Sequence, residues 1–206
     1  MPFDFHHHSP EKYGIYNLSL FEKPSESIFS VGIHPKDIEV ETEKSWKWFE
    51  EISQLPQCFA IGECGLDGLI NIDENLQENI FQKQILWANT IKKPVVIHCV
   101  RRFSQILKFS KIAKMPMIIH GFNKKKEIAD QLFDKGFYLS FGKAALQNVS
   151  LQEIIKDFPL NRMFLETDAA DFDIQILYEK VAYLKQISLE QLQSELMENI
   201  EKLKVL

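Results

Sequence analysis

The sequence predicts an α/β fold, a TIM-type (β/α)8 barrel in a single domain over residues 1–206, with an abbreviated N-terminal part lacking some outer helices. Three observations predict it. Eight short apolar runs rich in β-branched or aromatic residues alternate with longer amphipathic stretches, the pattern of βα units around a parallel sheet. A chain of 206 residues with 45% apolar content suits one sizeable core. All six histidines stand at the C-terminal ends of those runs, which in such a barrel form the mouth.

Taken in order, the expected strands are Pro2–His6, Gly14–Ser19, Ile28–Ile33 and Cys58–Glu63, followed by Pro94–His98, Met115–His120, Gly136–Ser140 and Arg162–Thr167. Amphipathic stretches after most of them predict helices at Glu41–Ser53, Glu74–Ile91, Arg102–Ile112, Lys125–Lys135 and Leu151–Phe158. Two closing helices are expected near Asp173–Gln186 and Leu189–Lys204. Ser150-Leu-Gln-Glu153 and Ser188-Leu-Glu-Gln191 have capping-box spacing and mark helix starts. Between His8 and Gly32 there is room for a strand but not for two helical crossovers, hence the abbreviation.

Composition excludes several classes. No apolar run approaches the roughly 18 residues of a membrane span, and the start has no signal-peptide pattern, so a cytoplasmic protein without a membrane partner is expected. Cys58, Cys64 and Cys99 lack CxxC spacing, so they read as small buried residues rather than a disulfide framework or a thiolate zinc site. The net charge of -5 argues against a protein that coats duplex nucleic acid. Yet residues 92–126 hold ten basic residues and no acidic one. Such a block is either a solvated positive face or a rim that attracts phosphate.

The histidines carry the chemistry. His6, His7 and His8 follow Phe-Asp-Phe, while His34, His98 and His120 end Phe-Ser-Val-Gly-Ile-His, Pro-Val-Val-Ile-His and Pro-Met-Ile-Ile-His. Strand side chains alternate faces, so His6 and His8 point together and His7 points away. Imidazoles crowded into one mouth are hard to satisfy with hydrogen bonds alone, at about 1–3 kcal/mol per unpaired buried group. A metal supplies the missing partner. Two acidic segments complete the set: Gly62-Glu63-Cys-Gly65-Leu-Asp67, whose glycines permit close approach to a ligand, and Glu166-Thr-Asp168. Buried carboxylates require cations.

Asp4-Phe-His6-His-His8, Gly32-Ile-His34-Pro35, Gly62-Glu63-Cys-Gly65-Leu-Asp67, the stretch from Gln82 to His98, His120-Gly-Phe122, Glu166-Thr-Asp168 and Glu198-Asn199-Ile occur in an order and spacing that resembles the TatD family of metal-dependent deoxyribonucleases, within the amidohydrolase-like barrel enzymes. The resemblance covers nearly the whole chain. It implies a hydrolase with a two-metal site: His6, His8 and Asp168 on one ion, His98 and His120 on the other, and Glu63 bridging. Two such ions, about 3.5–4 Å apart, activate water and stabilise both attacking and leaving oxygens. Asp168 and Glu63 are the implied catalytic residues, Asp168 by orienting or deprotonating the water.

Zinc, magnesium, manganese, cobalt and nickel all suit mixed nitrogen and oxygen ligands. Glu166 is expected either to steady a ligating histidine or to be an ordinary salt-bridged carboxylate. The resemblance places His34 on the substrate side. Arg101, Arg102 and Lys124 follow their strands into the mouth and suit a phosphodiester, whereas Lys92 and Lys93 belong at the opposite end. Two departures bear on the phosphate contacts: Val100 stands where the family has arginine, and Ala170 where it has proline. The expected substrate is DNA or another phosphodiester, met by a monomer. The alternatives are a same-fold hydrolase of an amide, lactone or aminoacyl ester, and a catalytically silent metal-binding protein.

Overall fold

The computed structural model describes residues 1–24, 26–40 and 43–204. Eight strands pair in parallel and in sequence order: β1 (Asp4–His7), β2 (Gly14–Leu18), β3 (Phe29–Val31), β4 (Cys58–Asp67), β5 (Val95–Val100), β6 (Met117–Ile119), β7 (Tyr138–Phe141) and β8 (Met163–Leu165). A parallel bridge between His7 and Asp168, with Asp168 N donating to His6 O at 2.9 Å, brings β1 back against the end of β8. The sheet is thus a nearly closed (β/α)8-type barrel.

The outer layer is α1 (Glu43–Ser53), α2 (Glu74–Ile91), α3 (Phe103–Phe109), α4 (Lys126–Asp134), α5 (Val149–Asp157), α6 (Ile174–Lys185) and α7 (Leu189–Lys204). Glu41, the expected start of the first helix, lies outside the described residues. Among the described residues no helix separates β1 from β2 or β2 from β3, so the expected abbreviation is present. α3 is shorter than expected because the backbone after Phe109 tightens, with Ile112 N donating to Phe109 O. One capping expectation is corrected: Ser150 lies inside α5, and Asn148 caps it by accepting Leu151 N at 3.2 Å. Ser188 accepts Gln191 N at 3.1 Å, as its spacing predicts.

The barrel interior is built from one apolar side chain on most strands, including Phe5, Ile15, Ala60, Val96, Ile118, Tyr138 and Phe164. Phe5 stacks on Phe164 with centroids 4.1 Å apart. A strand returns to the same face every second residue. Counting two on from Ile15, Val96, Ile118 and Phe164 therefore gives Asn17, His98, His120 and Glu166 as the next layer, at the mouth.

Two strands break that count. The pairing of β1 with β2 advances three residues on one strand against two on the other between Asp4 and His7, and β4 does the same against β5 between Ile61 and Cys64. Each extra residue re-aims the side chains beyond it, a common device at barrel rims. Consequently His6 and Glu63 turn into the same space as His98 and His120. The glycines flanking Glu63 serve the packing of β4. A Cβ on Gly62 would stand 2.3 Å from Val96 O, and one on Gly65 2.1 Å from His98 O, so only glycine lets β4 lie against β5 here.

Candidate metal centre

Glu63 is the hub of the mouth. Its side chain is 7% exposed, and its two oxygens sort the histidines into two sets. Oε1 faces His98 Nδ1 at 2.8 Å, His120 Nε2 at 2.9 Å and His34 Nε2 at 3.3 Å. Oε2 faces His6 Nε2 at 3.6 Å and His8 Nε2 at 3.8 Å. Asp168 Oδ1 lies on the Oε2 side, 3.2 Å from His8 Nε2 and 3.8 Å from His6 Nε2. Asn17 steadies the hub by accepting Glu63 N at 3.0 Å and offering Nδ2 to Oε2 at 3.4 Å.

Several polar groups hold the imidazoles from behind. Asp67 Oδ2 lies 3.0 Å from His98 Nε2, while its Oδ1 accepts Leu69 N at 2.8 Å. Glu166, fully buried, accepts Gly121 N at 2.6 Å and stands 3.4 Å from His120 Nδ1. Lys36 N donates to His34 Nδ1 at 3.0 Å, so a neutral His34 carries its proton on Nε2. Nε2 is therefore a donor towards Glu63. With outer partners on Nε2 of His98 and Nδ1 of His120, opposite ring nitrogens face Glu63.

Whether these residues suit a cation can be judged from the atoms left over. His6 is fully buried, and neither ring nitrogen has a hydrogen-bond partner. Such an orphan costs about 1–3 kcal/mol. Its Nε2 looks instead towards two carboxylates. Among the described residues, three groups of side chains bring ligand atoms within 4.8 Å of one another: His6, His8 and Glu63; His34, Glu63 and His98; and His6, His120 and Asp168. Imidazole nitrogen with carboxylate oxygen is the donor set of a zinc-like or manganese-like ion. The residues fit a metal.

Without a metal, protons take its place. Burial works against ionising Glu63, but the charge and hydrogen bond of His120 and the contact from His34 hold its carboxyl well below the usual range. The same pair, with Glu166, raises His120 against the desolvation that would lower it. Burial likewise opposes ionisation of Asp168, yet His8, His120 and His6 keep it lowered. A metal taken up by these residues would displace protons.

The structure places the other expected residues unevenly. Arg101 is exposed beyond β5, and Arg102 pairs with Glu74 and packs over Gly68. Lys124 is exposed, while Lys93 donates to Ser53 O, Leu55 O and Cys58 O at the opposite end, as its position predicts. Cys58 and Cys64 are buried and Cys99 half-buried. Sequence reading missed Asn17 and the support that Asp67 and Lys36 give to histidines. It also missed Asp4, which accepts Thr167 N at 2.9 Å and Thr167 Oγ1 at 2.6 Å and so ties β1 to the Asp168 segment. The alternation from Ile15 is the signal that could have found Asn17.

His7 points away from the metal-side histidines, against Tyr16, and is fully buried. Desolvation, then the neighbouring His6 and Lys12, lower its pKa to about 4. In the unfolded chain it titrates near 6.5, so unfolding takes up a proton between these values. Its contribution is present above pH 6.5 and is lost as pH falls through about 4. Relative to the parent, His7→Gln should therefore gain stability as pH drops from 7 to 4, by up to about 3 kcal/mol. Melting curves of the two proteins across that range check this; a pH-independent difference would contradict it.

Comparison with known proteins agrees with the geometry. The model of the TatD related DNase family matches residues 15–204. The chain is 28% identical over 205 residues to a Bacillus subtilis (strain 168) protein named uncharacterized metal-dependent hydrolase YabD, covering 90% of this chain and 80% of that protein. It is 28% identical over 147 residues to the 3'-5' ssDNA/RNA exonuclease TatD of Edwardsiella piscicida, covering 68% of this chain. The chain spans only 56% of that exonuclease's length. Its fold matches the crystal structure of YJJV, a TatD homologue from Escherichia coli K12, with a TM-score of 0.76 at 20% identity, over 87% of this chain and 77% of that one. This chain belongs to the TatD-related DNase family, whose name and relatives are those of metal-dependent hydrolases.

Proposed function

We propose that the protein hydrolyses phosphodiester bonds of nucleic acid, DNA first, with two divalent ions held in the mouth. The carrying observation is the sorting of ligands by the two oxygens of Glu63. His6, His8 and Asp168 gather at Oε2, and His98, His120 and His34 at Oε1, so that Glu63 would stand between two cations held by His6, His8 and Asp168 on one side and by His98 and His120 on the other. Divalent ions in such a pocket supply acidification of a water, from about 15.7 towards about 7, and neutralisation of charge on phosphoryl oxygens. The chain's residues do the rest. Asp168 stays ionised beside the opening and accepts the proton of the attacking water. Glu166 and Asp67 fix the rings of His120 and His98, and His34 offers Nε2–H to a substrate oxygen. Names of relatives that degrade ssDNA and RNA favour a nucleic acid as substrate.

A second reading has one observation in its favour. Neither Arg101 nor Arg102 lines the cleft beside Glu63, as a carboxylic ester, lactone or amide would permit. Purified protein separates the readings. Metal analysis should find divalent ions, and bis(p-nitrophenyl) phosphate and single-stranded DNA should be cleaved, with activity lost on chelation and restored by manganese or zinc. Hydrolysis of lactones or aryl acetates without any cleavage of phosphodiesters would overturn the proposal.

A further inference from the structure

Beside the metal-side residues lies a cleft of about 220 Å³ lined by His8, Asn17, His34, Lys36 and Glu63 among others. It opens on the β2–β3 side, where the outer helices are missing. A nucleic-acid strand entering there brings one negative charge per phosphate, most of them beyond reach of the metal site. The chain must meet those charges with cations of its own.

The basic side chains that sequence reading favoured are engaged elsewhere or outside this cleft. Arg102 pairs with Glu74; of the lysines it did not favour, Lys126 pairs with Asp130 and Asp157 and Lys12 donates to Thr167. Arg101 and Lys124 are exposed but do not line the cleft. Lys36 does line it, beside Asp37, is exposed, and forms none of the ion pairs found among the described residues. Its backbone is fixed in a 3-10 turn, Pro35–Val40, in which its own N–H holds His34 and Asp37 N donates to His34 O at 2.8 Å. The ammonium thus stands on a rigid base at the wall of the cleft, on a stem able to swing over it.

Resting on the nucleic-acid reading above, we propose that Lys36 is the phosphate-binding cation of this chain, so that the substrate strand lies along the β2–β3 side of the mouth. One residue then serves twice, with its amide setting the proton of His34 and its side chain taking the neighbouring phosphate.

Binding, not turnover, tests this. Fluorescence anisotropy with a cleavage-resistant phosphorothioate oligothymidylate, in the presence of manganese, should show Lys36→Ala binding about tenfold more weakly. The slope of log affinity against log salt should fall by about 0.7, the value of one phosphate on a single strand. Lys36→Arg should restore both. Lys202→Ala, on α7, controls for the change in net charge and should bind like the parent. A methylphosphonate oligomer, which lacks backbone charge, should not distinguish Lys36→Ala from the parent. A Lys36→Ala curve superimposed on the parent's, or a parent that binds no oligonucleotide, overturns the inference. Binding that depends on Lys36 without cleavage of the ordinary phosphodiester oligomer supports it and overturns the nuclease reading instead.

Discussion

Glu63→Gln should lower hydrolysis by at least about a thousandfold, some 4 kcal/mol of transition-state stabilisation, and should leave the protein short of its full complement of ions. The expectation rests on the hub geometry. An amide keeps the size of the carboxylate and can still meet Asn17, but it carries no charge and offers two donors in place of Oε1, which faces histidine nitrogens at 2.8 to 3.3 Å, or of Oε2, which faces them at 3.6 and 3.8 Å. Donors turned towards lone pairs that should ligate a cation repel it, and the charge that draws it in is gone. Metal stoichiometry by mass spectrometry, alongside activity, provides the check. A Glu63→Gln protein with full metal content and parental activity would remove the shared-carboxylate reading altogether.

The same substitution separates metal binding from folding. In the absence of metal, Glu63 is held ionised against burial by His120, and His120 is held protonated by Glu63. Gln at 63 removes the buried negative charge and the larger support of the positive one, leaving His120 the contact with Glu166, so the metal-free protein loses an ion pair but also part of its desolvation cost. Breaking one half of a buried pair is costly only when the other half stays charged. His120 keeps Glu166 as a partner, so its half of the pair is not stranded.

The legibility of the mouth in the sequence has a physical basis. His98, His120 and Glu166 each stand two residues beyond a core-facing apolar residue, and alternation along a strand is strict enough to carry the inference from Val96, Ile118 and Phe164. Where β1 and β4 take an extra residue, alternation fails locally, and no pattern of residue types announces a bulge. There alternation relates His6, His7 and His8 to one another, but only their chemistry, and that of Glu63, brings them to the same mouth as His98 and His120. The glycines beside Glu63 look like a ligand loop in sequence, and the strand contact that also demands them is not legible there, because Val96 O and His98 O belong to a segment more than thirty residues away. Lys36 was hidden for a related reason. Charge density points to residues 92–126, but which cation faces the cleft depends on where each stem leaves the backbone and which carboxylate it meets.

Asp168→Asn should also cost roughly a thousandfold in activity, within the range of a lost general base, but for a different reason and with a different signature. Asp168 sits at the solvent edge of the mouth, 44% exposed, with its backbone at φ 52. Asparagine tolerates that left-handed conformation as well as aspartate does, and the bond from residue 168 N to His6 O, which helps close the barrel, survives the change. The fold should therefore be kept, with melting temperature close to the parent's. The carboxylates of Glu63 and Glu166 and every imidazole remain in place, so metal content should fall far less than in Glu63→Gln. What the variant lacks is an anion beside His8 to accept the proton of the attacking water. Parental activity in Asp168→Asn would dismiss that role, and equal loss in His7→Gln would dismiss the assignment of faces along β1, since His7 packs against Tyr16 and makes no contact with Glu63 or Asp168 through its ring.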